Sequence, residues 1–225
     1  MKVSAIVPVH GKQEMTLSML RCLRKSEPNL NRLEIIAVVE EDHDTAVAIE
    51  KQGIVNSLIE KHEHHGPVYG WNEGAKIATG DAFALMATDV WFLNDWRREA
   101  LKKLKELNWN GVVGFNNCSG LGGQSTFAEH FLASRSFCMD VMGGVFVCPH
   151  YTHWYIDIEE YYRALKGGKY LYAENALVEH RHWRYKKANR EDYAITCGCK
   201  QGEEKQIFDR RKEQGWPIDY EAILT

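Results

Sequence analysis

This 225-residue chain has no CxxC pair, no GxGxxG phosphate loop, no long apolar run and no large charge excess. Each absence removes a class of protein. No window approaches the roughly 18 apolar residues of a membrane span. The opening MKVSAIVPVH is too short an apolar run, and too polar afterwards, for a signal peptide, so a cytoplasmic protein is expected. The six cysteines (Cys22, Cys118, Cys138, Cys148, Cys197, Cys199) are irregularly spaced, which fits reduced thiols better than a disulfide framework or a zinc site. A net charge of -3 gives no global attraction to phosphate polymers. There are no repeats and no low-complexity linker. The glycines of Asn116-Asn117-Cys118-Ser119-Gly120-Leu121-Gly122-Gly123-Gln124 lack the dinucleotide-binding order. The turn Pro8-Val9-His10-Gly11-Lys12 has a single glycine, where a nucleotidyltransferase, the main alternative enzyme class, would carry a glycine-rich basic loop.

What is present is an alternation of strand and helix signals. Val3 to Val9 is short, β-branched and ended by His10-Gly11, which reads as a buried strand. Lys12 to Ser26 suits a helix packed on a sheet. Leu33 to Val39 is a second strand, stopped by Glu40-Glu41-Asp42; Thr45 to Gln52 is helical and Ile54 to Ile59 a third strand. Gly70 to Gly80 reads as a helix with Asn72 near its start and Gly80 as its stop. Asp81 to Thr88 (strand), Trp96 to Leu107 (helix) and Val112 to Phe115 (strand) follow. Beyond Asn116 the pattern predicts a strand at Gly144 to Cys148, a helix at Asp157 to Lys166 and a strand at Lys169 to Tyr172. The fold class is therefore α/β, a mostly parallel sheet flanked by helices. Such sheets collect ligands at the carboxyl ends of their strands. One domain over residues 1–225 is expected, with a Rossmann-like nucleotide half (1–115) and an acceptor half (116–225) that carries a basic C-terminal segment.

Four segments resemble, in order and spacing, the family 2 type of GT-A glycosyltransferases. They are VSAIVPVHGKQE at the start, Asn72-Glu73-Gly74-Ala75-Lys76-Ile77-Ala78-Thr79-Gly80-Asp81, Asp157-Ile158-Glu159-Glu160-Tyr161-Tyr162-Arg163, and Gly167-Gly168-Lys169-Tyr170. The likeness runs from Val3 to about His182. It implies transfer of a sugar from a nucleotide-diphosphate donor, with UDP as the expected nucleotide, to an acceptor hydroxyl. A catalytically degenerate domain that binds a nucleotide sugar or a protein partner is the non-enzymatic alternative.

Such a transfer needs help for its leaving group, because negative charge builds up on the diphosphate. The family's Asp-x-Asp place here reads Ala87-Thr88-Asp89, so the first carboxylate is missing. The resemblance assigns Asp89 and the late His180, with His182 as the neighbouring candidate, as metal ligands for Mn2+ or Mg2+. Glu40, after the second strand, stands where the family usually places an aspartate that holds uracil and ribose, with Glu41 and Asp42 as alternatives. Pro8, His10, Asn72, Gly74 and Asp89 complete the expected nucleotide-sugar site. Asp157, at a helix N-terminus that favours an ionised carboxylate aimed outward, is the expected catalytic base, with Glu160 one turn on as its rival. Glu159 and Arg163, four apart, read as a surface pair. His62, His64 and His65 read as solvated. Trp154, Arg181, His182 and Trp183 are the expected acceptor or diphosphate contacts. Arg181 to Arg190 holds five Lys/Arg and no acid, a solvated basic tail or a clamp for a diphosphate or polyanion. The acceptor is open among glycan, small molecule, protein and, least favoured, DNA.

Overall fold

A computed structural model describes residues 1–93, 95–118, 127–182, 185, 187 and 201–220. Strand β1 (Val3–Val9) lies inside the sheet with β2 (Leu33–Glu40) on one side and β4 (Ala82–Leu85) on the other, both parallel to it. Every residue of β2 is buried, as a strand covered on both faces requires. The period-2 alternation of β1 divides the core. Val3, Ala5, Val7 and Val9 face one hydrophobic cluster with Leu20 and Leu23 of α1 (Gln13–Ser26) and Leu104 of α4 (Trp96–Glu106). Ile6 faces the other, with Trp71 of α3 (Pro67–Ile77), Phe137 of α5 (Arg135–Asp140), Ile156 of α6 (Ile156–Lys166) and Phe208 of α7 (Gln201–Glu213). Helix α2 (His43–Gln52) and the edge strand β3 (Ser57–Lys61) complete the first half.

Among the described residues the sheet has eight strands in the order β3-β2-β1-β4-β7-β6-β8-β5. Strand β7 (Phe131–Ser134) runs antiparallel to β4 and to β6 (Val112–Asn116), so its first residue stands at their carboxyl ends. Strand β8 (Tyr170–His180) pairs in parallel with β6 up to Ala173, shifts register so that Leu177 faces Asn116, and then pairs antiparallel with β5 (Val90–Phe92). That second pairing sets His180 opposite Val90, next to Asp89.

Several expected bounds move. Helix α3 starts three residues earlier than expected, at Pro67, whose fixed φ suits a first helical turn. Strand β4 is only Ala82–Leu85, so Asp81 precedes it and Asp89 lies beyond its end. The predicted strand Gly144 to Cys148 is not one. Val145 to Cys148 are buried, but the amide of Asn72 replaces a neighbouring strand: Asn72 Oδ1 accepts from the N–H groups of Phe146 (3.0 Å) and Val147 (3.1 Å), and its Nδ2 donates to Val147 O at 3.0 Å. The Glu159–Arg163 pair is buried rather than on the surface, because α7 covers it. Glu159, 0% exposed, accepts from Arg163 Nε at 2.9 Å, from the Tyr151 hydroxyl at 2.7 Å and from Arg211 Nε at 3.1 Å. No helix among the described residues is long and apolar enough to cross a membrane.

Candidate active site

A cavity of about 400 Å³ opens at the carboxyl ends of the central strands. At one end stand Pro8, His10 and Lys12 from the β1–α1 turn, Glu40 from the end of β2, and His64 from the loop before α3. Glu40 is 2% exposed, and its Oε2 accepts from the N–H groups of His65 and Gly66 at 3.0 Å each. The N-terminus of α3 thus holds one carboxylate oxygen in place. Nδ1 of His64 lies 3.0 Å from that same oxygen, and its ring stacks on His10 at 4.1 Å between centroids. His64 stays exposed, as expected from its charged neighbours, and also forms part of the cavity wall. Glu40 Oε1 is buried without a hydrogen-bond partner among the described residues. A carboxylate so fixed can accept from the N–H of a base or from a ribose hydroxyl.

The middle of the cavity holds Asp89, His180, Glu129 and His130. Their positions follow from the sheet: Asp89 ends the segment after β4, His180 ends β8, and Glu129-His130 lead into β7. His180 Nε2 lies 3.2 Å from Asp89 Oδ2, and Nδ1 lies 2.7 Å from Glu129 Oε2. The Tyr185 hydroxyl donates to Glu129 Oε1 at 2.8 Å and Asn117 Nδ2 to Oε2 at 3.0 Å. Burial disfavours a charged His180 ring, but the hydrogen bonds and charges of Asp89 and Glu129 outweigh it and lift the ring to about 9. Burial likewise works against an ionised Glu129, yet His180, with support from His130 and Tyr185, holds it at about 2. His130, desolvated and beside His180, falls to about 4 and is a neutral base at neutral pH.

This donor set fits a divalent cation. Two donors bound at about 2.1 Å and at right angles on one octahedral ion lie about 3 Å apart, close to the spacing Asp89 and His180 already have. Glu129, His130 and His180 also each bring one donor atom within 4.8 Å of the others. His130, 4% exposed, keeps a buried Nδ1 without a partner. Glu129 and His130 were absent from the sequence-based set, because nothing in their spacing ties them to Asp89 or His180; the adjacent acid and imidazole were the only signal.

The far wall is the loop 151–155 and the start of α6, with His153, Trp154, Tyr155 and Asp157 on the cavity and Gln201 of α7 beside them. Asp157 Oδ1 accepts from the N–H of Ile158 at 2.9 Å. Burial, then the charge of Glu129, pushes its carboxyl up to about 7, so it is not the firmly ionised group that the helix terminus alone suggests. His182 also lines the cavity.

Four expected residues stand elsewhere. Glu160 is 1% exposed and off the cavity wall; both its oxygens are buried without hydrogen bonds, and burial raises its carboxyl well above the usual range. Asn72 spends its amide on the 146–147 segment. Gly74 makes room for the sheet: a Cβ there would meet Ile6 Cγ2 at 2.4 Å. Arg181 is exposed, with its guanidinium 4.3 Å over the Trp91 ring and Nε donating to Glu179 at 3.0 Å. Trp183 and most of the basic run to Arg190 lie outside the described residues, as do Cys197 and Cys199.

No curated protein matches the chain. Among solved structures it is similar to the mannosyltransferase PcManGT from Pyrobaculum calidifontis in complex with GDP-Man and Mn2+, with a TM-score of 0.63 and 15% identity over 81% of this chain and 58% of that one. It is also similar to residues 1–349 of S. aureus TarS in complex with UDP-GlcNAc, with a TM-score of 0.60 and 13% identity over 84% of this chain and 62% of that one. The chain therefore spans under two thirds of either neighbour, and at such identity the likeness is one of fold. The family is shown by sequence. The model of Glycosyl transferase family 2 matches residues 4–200, which include both walls of the cavity and the Asp89–His180 pair, and the chain belongs to that family.

Proposed function

We propose that the chain transfers a sugar from a nucleoside-diphosphate donor to an acceptor hydroxyl, with inversion at the anomeric carbon and with a divalent cation at Asp89 and His180. The observation that carries this reading is one cavity with three parts: the anchored Glu40 carboxylate at one end, the Asp89–His180 pair in the middle and Asp157 on the opposite wall. Glu40 Oε1 accepts from the nucleoside, while Pro8 and His10 border it. Asp89 and His180 Nε2 would hold the ion, and Glu129, at His180 Nδ1, fixes the ring and its tautomer. When bound, the cation neutralises charge that builds on the diphosphate. His182 lines the same cavity and would donate to that anion.

Asp157 takes the acceptor proton. Its carboxyl, raised to about 7, is a base matched to neutral pH. As the acceptor oxygen bonds to the anomeric carbon, the bond from that carbon to the diphosphate oxygen breaks, and the nucleoside diphosphate departs with the bonding electrons. Trp154 offers an aromatic face for the acceptor at that wall.

The two similar structures are complexes with GDP-Man and UDP-GlcNAc, so both nucleotides belong in the donor panel. The test offers UDP- and GDP-sugars with Mn2+ and a panel of glycan and small-molecule acceptors, and reads product configuration by NMR. Inverted product from the native enzyme and its loss in Asp157→Asn are expected. A retained anomer, or near-native turnover in that variant, overturns the mechanism.

A further inference from the structure

Helix α7 begins at Gln201, one residue beyond the segment that the family model matches, yet it touches the cavity. Its Glu204 is 2% exposed and faces the loop that carries the acceptor-side wall. Glu204 Oε1 accepts from the Thr152 N–H at 2.9 Å and from the Thr152 hydroxyl; Oε2 accepts from the N–H groups of His153 (3.3 Å) and Trp154 (2.6 Å). Three consecutive backbone donors converge on one carboxylate, an anion nest filled from within the chain. The loop needs such a partner because its N–H groups face no strand and do not belong to α6. Charge-assisted bonds of this kind are shorter and stronger than neutral ones.

We infer that Glu204 is a positioning residue: through the backbone of residues 152–154 it fixes where His153 and Trp154 meet the acceptor and where α6 begins with Asp157. The C-terminal helix is then part of the acceptor site, and the matched family segment alone leaves that wall without its anchor. The inference rests on the sugar-transfer reading for its catalytic consequence, and on geometry alone for its structural one. Helix α7 does not depend on Glu204 to stay docked. Arg211, 1% exposed, bonds Glu159 through Nε and Nη2 and Asp219 through Nη1 at 2.7 Å. Removal of the Glu204 charge therefore perturbs the loop without release of the helix. The nucleotide end stands on β1, β2 and α3; Glu204 does not line it, and the loop meets α3 where the Val68 N–H donates to Thr152 O at 3.3 Å.

The experiment compares native enzyme with Glu204→Gln and Glu204→Ala in two arms. The first is amide hydrogen exchange without substrate. Faster exchange at residues 152–154 by about tenfold or more is expected, greater in Ala than in Gln, with α3 beyond Val68 and residues 205–213 unchanged. Native-like protection of the loop in both variants overturns the inference. The second arm measures donor hydrolysis, with water as acceptor, for UDP-GlcNAc and GDP-Man with Mn2+, per nucleotide-binding site counted by UDP or GDP calorimetry. A displaced base lowers kcat about tenfold to a hundredfold, with donor KM and nucleoside-diphosphate affinity within twofold of native and Gln the milder change. A purely structural role would lower the number of binding sites and leave kcat per site unchanged, which overturns the positioning role. If native enzyme hydrolyses neither donor, the sugar-transfer reading falls, and the exchange arm still decides whether Glu204 orders the loop.

Discussion

Replacement of Glu160 by glutamine separates the two carboxylates of α6 and yields a number. Glu160 lies 1% exposed, with neither oxygen hydrogen-bonded and the Arg163 charge too weak to offset desolvation. The nearby Cys138 thiol is pushed up by the same burial and by Glu160 itself. The folded state therefore keeps a proton on Glu160 that the unfolded chain releases above its ordinary value of 4.5. A group whose folded value is raised contributes stability that is present in full below the unfolded value and is lost as pH rises. The loss is at most about 1.4 kcal/mol per pH unit, the limit set by release of one proton. Glutamine is nearly isosteric and does not titrate, so Glu160→Gln removes this slope; every other group contributes equally to both proteins. Urea unfolding at pH 5.5, 6.5 and 7.5 is the assay. The difference in unfolding free energy, variant minus native, should grow with pH across that range, by at most about 1.4 kcal/mol per unit, while turnover per site and its pH profile stay native. A constant difference would show that Glu160 is ionised in the folded protein, and the burial argument would fail. Loss of turnover with an intact fold would return Glu160 to the list of bases.

Other changes read the cavity more directly. With Asp157 as base, kcat/KM should rise with pH through about 7 and level off above it, with a fall of about tenfold per unit on the acid side; a flat profile from pH 5.5 to 8 removes Asp157 from that role. Asp89→Ala or His180→Ala should weaken Mn2+ binding by tenfold or more in electron paramagnetic resonance titrations, and Glu129→Gln by about tenfold to a hundredfold through loss of ring orientation; native affinity in all three would deny the metal site. Gly74→Ala should cost about 1–3 kcal/mol in denaturant unfolding, because its Cβ would stand 2.4 Å from Ile6 Cγ2; a neutral change would mean that α3 is free to shift. Arg211→Met should cost about 3–5 kcal/mol, because Glu159 would keep a buried charge with one guanidinium fewer.

The sequence was most legible where one segment had to satisfy one rule. A β-branched run between covered faces reads as β1, and a 3.6-residue apolar stripe reads as α1 and α4. Short antiparallel strands were not legible. Three residues of β5 and four of β7 hold too little periodicity to be seen, and their partners lie far along the chain. The apolar run from Gly144 misled for the opposite reason: burial of Val145, Phe146 and Val147 came from the core beneath them, while the hydrogen bonds came from one amide on α3. Asn72 thus holds the core's edge instead of a nucleotide.

The same reasoning explains which site residues could be named in advance. Asp89, His180, Glu40 and Asp157 are expected at the site because the family resemblance marks their positions, and each lies where a strand or helix ends at the cavity. Glu129, His64 and Glu204 were not found, because each gains its role from a partner that local spacing cannot supply. Glu129 is made useful by the reversal of chain direction at β7, His64 by a carboxylate buried beneath it, and Glu204 by a loop 50 to 52 residues earlier. All three are acids or imidazoles in polar segments, where a solvated side chain is the ordinary expectation. What sets them apart is burial, or a bond to a buried partner. A polar residue is informative once its water has been removed, and that removal is a property of the fold, not of the segment.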